Sequence, residues 1–403
     1  MSREELIDMA RDALAYAEAD TLRQAPGVGK IRASVYTDPE RFDREKKQIF
    51  RRMPLMLAAS CEIPSAGDYK TMEPVGVPVL IVRGKDGQAR AFLNSCTHRG
   101  TNVALGEGNT SRFVCGYHGW TFNQKGELVG VASSSDFGDV DKDELCLQQF
   151  PILEKSGLIW VTLDPASTLD IDTFLSGYES LLDTFGFKDW YFFERRTLKG
   201  PNWKIAYDGY LDFYHLPVLH ANTFGADTTN RGNFYAWGPH QRILAPSAAM
   251  PQPEDTNVVS MKDVPESEWS DDLLLAGVWT IFPHVSIASF YGGGRGVMVS
   301  QLFPGEKVGE SYTVQTYLME KEPSDEIKQQ AHEQFSLLET VVADEDYATG
   351  IRQQKALDAG LTEWVYFGRN EEGGQEFHGW VEKLLNASDD DLNDIFAMKE
   401  AAE

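Results

Sequence analysis

The segment CTHRGTNVALGEGNTSRFVCGYHGW, residues 96–120, holds two of the four cysteines and two of the eight histidines in the chain. Cys96 and His98 form a C-x-H loop, and Cys115 and His118 form a C-x-x-H loop. Each loop offers one thiolate and one imidazole. Two thiolates on one iron and two imidazoles on the other hold a [2Fe–2S] cluster whose potential exceeds that of an all-cysteine cluster. The pattern therefore predicts an iron–sulfur cluster that relays electrons.

A zinc ion held by two Cys and two His is the alternative for the same four residues. Zinc sites usually pair Cys with Cys on one knuckle and His with His on a helix, whereas each loop here mixes the two types. Gly100, Gly116 and Gly119 permit tight turns and expose N–H groups that can donate to cluster sulfides. Both observations favour the cluster.

The composition excludes several classes of partner. Lys and Arg number 37 against 62 Asp and Glu in a chain of 403 residues, and the formal net charge is -25. This surplus repels phosphate backbones and anionic lipid, so we expect neither nucleic acid nor a membrane as a partner. The charged N-terminal stretch and the few, scattered cysteines argue against a secretory signal and a disulfide framework. We therefore expect a cytoplasmic protein.

Short runs rich in β-branched and aromatic residues fill residues 50 to about 165 and predict an antiparallel all-β unit. A helix is expected to begin at Ser2, and a helical pattern over 324–357 has Ser324 as its cap. The second half mixes strands and helices, which indicates α+β architecture. GGGRG at 292–296 lacks the glycine spacing of a dinucleotide site and is predicted to be a turn.

A second group of ligand-type residues lies in NWKIAYDGYLDFYHLPVLH, residues 202–220. His215 and His220 are five residues apart and do not align on an ideal helix, but Pro217 distorts the turn and lets the imidazoles converge. Two imidazoles and one carboxylate bind Fe(II) on one face and leave positions for O2 and substrate. The carboxylate must come from elsewhere, and spacing alone does not choose among Asp344, Glu345 and Asp346.

These segments resemble the motifs of Rieske non-haem iron oxygenases, the terminal oxygenase α subunits of the aromatic ring-hydroxylating family. CTHRG and CGYHGW resemble the Rieske motif, and NWK with D-x2-H-x4-H resembles the mononuclear-iron motif. E-D-x7-Q-x2-L, which runs from Glu345 to Leu357, is similar to the segment that supplies the third iron ligand. The resemblance implies Asp346 as that ligand, with Asp344 as the fallback.

The resemblance also implies a fold and its division into domains. An all-β Rieske [2Fe–2S] domain, residues 49–165, would be inserted into an α+β catalytic domain with a helix-grip antiparallel sheet. Residues 1–48 would supply the N-terminal helical part of the catalytic domain, and residues 166–403 would carry the mononuclear iron.

The resemblance assigns Asp212 a role in electron transfer. The corresponding Asp bridges an iron-site histidine to a Rieske histidine of the neighbouring subunit, and His118 is the expected partner in that subunit. A homotrimeric ring follows, with or without a separate β subunit. The chain departs from the family at Asp208-Gly209, where the family often has Glu-Asn or Asp-Asn. The polar contact that this Asn makes near iron is therefore in doubt.

The activity implied is that of a terminal oxygenase. A ferredoxin, an NAD(P)H-dependent flavin reductase, or both would supply electrons, and O2 would mono- or dihydroxylate an aromatic or other hydrophobic substrate, aromatic carboxylates included. The alternatives are a Rieske O- or N-demethylase or monooxygenase of a non-aromatic substrate, and a non-enzymatic Rieske electron carrier. The pocket is expected from strands within 277–304 and from Tyr207, Tyr210 and Phe213. The remaining histidines are expected to be structural: His240, His284, His332 and His378.

Overall fold

The structure is a computed structural model, and it describes residues 2–245, 249–252, 255–291 and 294–397. The strands in chain order are β1 Gly29–Arg32, β2 Leu55–Ala59, β3 Asp68–Met72, β4 Val79–Arg83, β5 Ala89–Leu93, β6 Glu107–Asn109, β7 Arg112–Val114, β8 Thr121–Asn123, β9 Leu128–Gly130, β10 Ile152–Lys155, β11 Leu158–Val161, β12 Tyr191–Gly200, β13 Asn233–Trp237, β14 His240–Leu244, β15 Ala249–Gln252, β16 Asp255–Ser260, β17 Val278–Ile281, β18 Val285–Tyr291, β19 Arg295–Pro304, β20 Ser311–Met319 and β21 Trp364–Phe367.

The α-helices are α1 Ser2–Glu18, α2 Pro39–Glu45, α3 Ser134–Phe137, α4 Ile171–Leu175, α5 Glu179–Leu182, α6 Trp203–Asp208, α7 Leu216–Leu219, α8 Asp271–Leu274, α9 Asp325–Glu339, α10 Ala348–Asp358, α11 Glu372–Asn386 and α12 Leu392–Ala397. Wider π-helical segments lie at Lys46–Phe50, Ala221–Gly225 and Thr340–Tyr347. Short 3-10 turns occupy Ala33–Tyr36, Ser60–Glu62, Pro74–Gly76, Asp183–Phe185, Phe187–Asp189, Met261–Asp263 and Glu266–Glu268.

The strands from β2 to β11 form three small antiparallel sheets. Their strand orders are β10-β11-β2, β5-β4-β3-β6 and β7-β8-β9. The last two enclose a small apolar core of their own, to which Leu80, Phe92, Phe113 and Phe122 contribute. The predicted all-β region is confirmed, and this small core supports the loops that carry the cysteine and histidine pairs.

A seven-stranded antiparallel sheet forms the centre of the remainder, in the order β12-β20-β19-β18-β17-β14-β13. Its central strands β19 and β20 are buried on both faces over almost their whole length, whereas the edge strand β12 is mostly half-buried. One face meets the small sheets, where the Gln301 side-chain amide donates to the Met56 carbonyl over 2.6 Å. Helix α6 packs on the opposite face, and the metal-ligand candidates described below are on that side.

The predicted helix over 324–357 is confirmed, with one difference in its interior. The Ser324 side chain caps α9 by accepting from the Ile327 amide, and α9, the π-helical segment and α10 follow without a break. The acidic run at 344–346 lies in the π-helical segment, which has i→i+5 hydrogen bonds and is often found at functional sites.

The stretch at 277–291 forms two strands, since a turn at Phe282–His284 separates β17 from β18. The turn predicted at 292–296 falls partly outside the described residues, but β18 and β19 pair on either side of it with Tyr291 opposite Arg295. Within the described residues, no helix has the length and apolar run needed to cross a bilayer.

Candidate metal centres

The two Cys/His loops share one backbone geometry. In the first, the Gly100 amide donates to the Cys96 carbonyl, and the Cys96 amide donates to Thr101. In the second, the Gly119 amide donates to the Cys115 carbonyl, and the Cys115 amide donates to Trp120. Each loop thus closes over the four residues that follow its cysteine, and both glycines have positive φ, +86° and +69°. A left-handed conformation favours glycine at these positions because a Cβ would be strained there.

The side chains of the two loops face each other. The imidazole rings of His98 and His118 have centroids 4.7 Å apart, and His98 stacks on Trp120 at 4.9 Å. Cys96 and Cys115 are buried, His98 is partly exposed, and His118 is exposed. Burial and the adjacent Cys115 thiol raise the pKa of Cys96, while burial and the adjacent His118 lower the pKa of His98. A neutral imidazole is the form that binds a metal.

The spacing of these four donors fits a cluster better than a single zinc ion. In a tetrahedral zinc site every ligand atom lies about 2.0–2.3 Å from the ion, so any three ligand atoms are close together. Among the described residues, the one group of three or more metal-ligand side chains within 4.8 Å of one another is His215, His220 and Asp346. The ligand atoms of the two cysteines and two histidines are therefore farther apart than those of the His215 group, as a cluster of two irons requires.

The second candidate site forms where the segment after α6 meets the π-helical segment Thr340–Tyr347. Pro217 sits in the first turn of the short helix α7, which His215 precedes and His220 follows. The two imidazole centroids are 5.2 Å apart. Asp346 Oδ1 lies 3.1 Å from His220 Nε2 and 3.7 Å from His215 Nε2. The two histidines and one carboxylate therefore converge, with one imidazole nitrogen of each ring turned towards the acid.

Of the three acidic candidates, the structure brings Asp346 to the histidine pair. Asp344, the fallback ligand, is exposed. Glu345 takes a different place, since its Oε2 lies 2.7 Å from His220 Nδ1 and also accepts from the Thr223 hydroxyl over 2.8 Å. The sequence did not assign Glu345 this position. The signal available was its place beside Asp346 in the acidic run.

Both imidazoles have a fixed tautomer. A carboxylate can only accept, so His215 Nδ1–H donates to Asp212 Oδ1 over 2.9 Å, and His220 Nδ1–H donates to Glu345. With a metal between the Nε2 atoms and Asp346, each Nε2 would bind through its lone pair while Nδ1–H donates to its carboxylate, the arrangement found at most histidine metal sites. Burial opposes protonation of both rings, but the carboxylates outweigh it, and the pKa of each histidine is raised.

The other predicted residues fall into two groups. His240 and His284 are buried, and His332 pairs with Glu194 at the surface. His378 is buried in α11 and contacts the Tyr36 hydroxyl and Asp208. Of the expected pocket aromatics, Tyr207 donates to the Val285 carbonyl, Tyr210 contacts Tyr347 and Phe213 lies beside Gly232.

Comparison with known families identifies both halves of the chain. A family described as the Rieske [2Fe-2S] domain matches residues 53–151, and a family described as the ring hydroxylating alpha subunit, catalytic domain, matches residues 187–387. The chain belongs to the Rieske oxygenase α-subunit family. Such α subunits carry the [2Fe–2S] cluster in the first domain and a mononuclear iron in the second, and the donors described above fit both groups.

Curated relatives of this Rieske oxygenase α subunit include monooxygenases and a dioxygenase. The carnitine monooxygenase oxygenase subunit of Escherichia coli (strain K12) is 33% identical over 193 residues, 47% of this chain and 52% of that protein. The anthranilate 1,2-dioxygenase large subunit of Acinetobacter baylyi is 30% identical over 215 residues, 50% and 44% of the two chains. The chain thus spans about half the length of the curated relatives it matches.

Solved structures share the fold of this Rieske oxygenase α subunit over most of its length. A quaternary ammonium Rieske monooxygenase has a TM-score of 0.75 and 21% identity and covers 90% of this chain and 97% of its own. Naphthalene 1,2-dioxygenase from Rhodococcus sp. has a TM-score of 0.72 and 23% identity, with coverage of 96% and 100%. These likenesses confirm the predicted α+β fold class, with a Rieske domain joined to a catalytic domain.

Proposed function

We propose that this chain is the terminal oxygenase of a Rieske system and hydroxylates an organic substrate with O2. The observation that carries the proposal is the convergence of two imidazoles of fixed tautomer on one carboxylate. When bound, the iron supplies the activation of O2 with electrons that the cluster stores. The proposed cluster ligands are Cys96, His98, Cys115 and His118, and the proposed iron ligands are His215, His220 and Asp346.

The surrounding residues hold this arrangement in place. Asp212 and Glu345 orient the two imidazoles, and Thr223 holds Glu345 through its hydroxyl. Such outer partners keep the ring nitrogens aimed at the metal and raise their basicity. His220 is 1% exposed, so its side of the site excludes bulk water.

Electrons are proposed to come from a ferredoxin, an NAD(P)H-dependent flavin reductase, or both, and to reach the iron site through Asp212. Two hydrogen bonds from His215, one from its amide and one from its ring, end on Asp212 Oδ1. Among the described residues, Asp212 Oδ2 accepts no hydrogen bond, and Asp212 is partly exposed. An exposed imidazole such as His118 of a neighbouring subunit would complete the bridge.

A ring of identical subunits, proposed as a trimer, is supported by two exposed apolar surfaces. One lies on the Rieske domain beside the cluster loops, at Leu105, Val114 and Tyr117. The other lies beside the iron-site histidines, at Tyr214 and Val218, the latter 81% exposed. Two different patches that meet head to tail generate a closed ring if the rotation closes. Each contact would place a cluster of one subunit beside the iron of the next.

The proposed domain boundaries are those of the sequence analysis, with 49–165 as the Rieske domain and 1–48 and 166–403 as the catalytic domain. They are supported by the first and last strands of the small sheets, β2 and β11, which fall inside the first range.

The proposed location is the cytoplasm, because thiolate ligands and the free, buried Cys61 suit a reducing compartment.

The proposed substrate is an aromatic or other hydrophobic organic molecule that is mono- or dihydroxylated. A second candidate is oxygenation or demethylation of a non-aromatic substrate. It is favoured by the names of two relatives, carnitine monooxygenase and the glycine betaine monooxygenase of Pseudomonas aeruginosa, which is 30% identical over 208 residues.

Metal analysis combined with O2 uptake tests the proposal. We expect one iron per chain beyond the pair in the cluster, together with substrate-dependent O2 uptake when a reductase is supplied. His215→Ala should lose the additional iron and the O2 uptake while it keeps the visible spectrum of the cluster. If wild-type protein carries only the cluster iron, the chain is an electron carrier and the proposal is wrong.

A further inference from the structure

One row of side chains crosses the seven-stranded sheet and is polar on six successive strands. Directly opposite residues in an antiparallel sheet point to the same face. By the observed register the row runs, from β12 to β14, through Arg196, Gln315, Ser300, Ser286, Thr280 and Gln241. The next row on the same face is mostly apolar: Tyr317, Met298, Ala288, Val278 and Ile243. We call the first set the polar row.

The polar row faces the side of the sheet that carries the iron-site residues. The Tyr207 hydroxyl of α6 reaches the sheet at the Val285 carbonyl, next to Ser286. At the other end, Gln241 Nε2 donates to the Gly373 carbonyl, and Gly373 packs on the carbonyl of Leu211, the residue before Asp212. The opposite face of the sheet meets the Rieske domain through Gln301, so the polar row is on the catalytic side.

The centre of the polar row is buried and incompletely hydrogen-bonded. Ser286 and Ser300 are 1% and 0% exposed, and neither Oγ makes a hydrogen bond of good geometry among the described residues. Gln315 is equally buried, and its Oε1 accepts from Arg196 Nε over 2.7 Å. The group facing Ser300 and the Gln315 amide is the Tyr210 hydroxyl, which interacts with both, whereas Ser286 Oγ has no such neighbour among the described residues. Unpaired buried donors are costly and rare, and a bound ligand is one of the causes that retain them.

Tyrosine side chains connect the polar row to the iron ligands. Tyr347 directly follows Asp346, and its hydroxyl lies 2.6 Å from Thr313 Oγ1 on β20 and 3.5 Å from the Tyr210 hydroxyl. Burial raises the pKa of Tyr210, hydrogen bonds to Ser300, Tyr347 and Gln315 oppose that rise, and the charge of Asp346 adds to it. Tyr210 is therefore a neutral hydroxyl near both Asp346 and the polar row, so a molecule bound along the row would lie close to the iron ligands.

The charges around the polar row disfavour an anionic ligand. Its central donors are neutral hydroxyls and an amide. The cation at its edge is Arg196, whose Nη1 donates to the Phe335 carbonyl and whose Nη2 is buried without a hydrogen-bond partner among the described residues. Arg196 is on β12, two strands from Ser300 and three from Ser286, which at the usual strand spacing is about 10–15 Å. A carboxylate held by the two serines would be desolvated at that distance from the cation, whereas a carbonyl or hydroxyl oxygen needs only the neutral donors.

We propose that the substrate presents an uncharged hydrogen-bond acceptor, a carbonyl or hydroxyl oxygen, to Ser286, Ser300 and Gln315. This inference rests on the proposed oxygenase function and narrows its substrate class. The apolar row beside the polar row, with Met298 and Ala288, would contact the rest of the molecule. Within the aromatic or other hydrophobic substrates expected above, this favours a neutral polar group over a carboxylate.

Calorimetric titration of the reduced, iron-loaded holoenzyme under nitrogen tests the proposal without turnover. The probes are benzamide, benzoate and toluene, which share one ring and differ in a single group. We expect benzamide to bind most tightly. Ser300→Ala and Ser286→Ala should each weaken its binding about 3- to 10-fold, the effect of one neutral hydrogen bond, and leave toluene unchanged. Ser289→Ala is the control, because Ser289 is on β18 but donates to the Leu275 carbonyl.

The outcomes separate the substrate class from the activity. Benzoate or toluene as the tightest probe, no binding of benzamide, or an unchanged benzamide affinity in both serine variants would overturn the polar acceptor. These results do not depend on O2 uptake, whose absence with every substrate would count against the oxygenase proposal alone.

Thermal unfolding supplies a second readout that does not use a ligand. If Ser286 and Ser300 lack partners in the free protein, each change to Ala removes a buried unpaired hydroxyl and should raise Tm by about 1–3 °C. A fall in Tm of that size in both variants would show that the hydroxyls are structural, and would also overturn the proposal.

Discussion

The partner of His220 gives the sharpest test of how the iron site is held. Glu345 Oε2 accepts from His220 Nδ1 over 2.7 Å and from Thr223 Oγ1 over 2.8 Å. Glu345→Gln keeps the size of the side chain but removes its charge, so a charge-assisted hydrogen bond becomes a neutral one. Hydrogen bonds to charged groups contribute about 1.5–3 kcal/mol against about 1 kcal/mol for neutral ones. The lost difference of about 0.5–2 kcal/mol corresponds to about 2- to 30-fold in an equilibrium constant.

We therefore expect Glu345→Gln to weaken Fe(II) binding about 10-fold, at the lower end of the 10- to 100-fold that outer partners of metal ligands usually contribute. The assay is anaerobic competition for Fe(II) against a chelator, starting from protein that holds its cluster but no mononuclear iron. The visible spectrum of the cluster reports whether the Rieske domain is unchanged.

The matched control is Asp344→Asn, which removes the same charge one residue earlier at an exposed position. It should bind Fe(II) as the wild type does. The reasoning fails if Glu345→Gln and the wild type have equal affinity. It also fails if Asp344→Asn is weakened as much, since the effect would then be one of net charge and not of the bond to His220.

Two further predictions concern electron transfer and acid stability. Asp212→Asn removes the equivalent charge beside His215, so it should also weaken Fe(II) binding, but with Fe(II) in excess both metal sites are loaded and the oxidation of the cluster in a single turnover should be slowed. Unchanged kinetics in stopped-flow absorbance would rule out the bridge. His284 is buried against the rings of Phe50 and Phe303, and burial lowers its pKa to about 3, so below pH 6.5 only the unfolded chain takes up a proton there. The contribution of His284 to the free energy of unfolding is therefore complete above pH 6.5 and decreases below it. At pH 5.5 it has decreased by about 1.4 kcal/mol. In denaturant unfolding, the free energy of unfolding of His284→Phe should therefore fall less between pH 7.5 and pH 5.5 than that of the wild type. An equal fall in both proteins would contradict this prediction.

The sequence predicted the parts of the two sites that depend on local spacing. The two residues of each pair, Cys96/His98 and Cys115/His118, lie in one short loop. Their types and spacing are therefore enough to indicate the kind of metal cluster that they can bind. His215 and His220 are likewise close in the chain. The structure brings this pair to Asp346, as the resemblance implied, and their role as ligands stays a prediction.

The parts that the sequence did not predict depend on geometry between distant segments. Glu345 reaches His220 because the acidic run lies in a π-helical segment, a wider turn that no residue pattern in the chain indicates. The polar row depends on the register of six strands between residues 196 and 315, and each of its serines looks ordinary within its own strand. Aromatic and apolar residues in the same strands favoured a largely hydrophobic substrate, because strand composition does not report which rows share a face.

The departure at Asp208-Gly209 lies at Gly209, because Asp208 keeps the acidic residue of the family pair. Asp208 Oδ2 accepts from the Tyr36 hydroxyl over 2.7 Å, and Oδ1 lies 2.9 Å from His378 Nε2. Both oxygens are thus engaged, and they join the end of α6 to α11 and to the turn at Ala33–Tyr36. Gly209 has no side chain that could make the polar contact of the family's Asn. The neutral polar groups that the charge of Asp346 reaches on this face are the hydroxyls of Tyr210 and Tyr347, and a substrate oxygen held by the polar row would approach them.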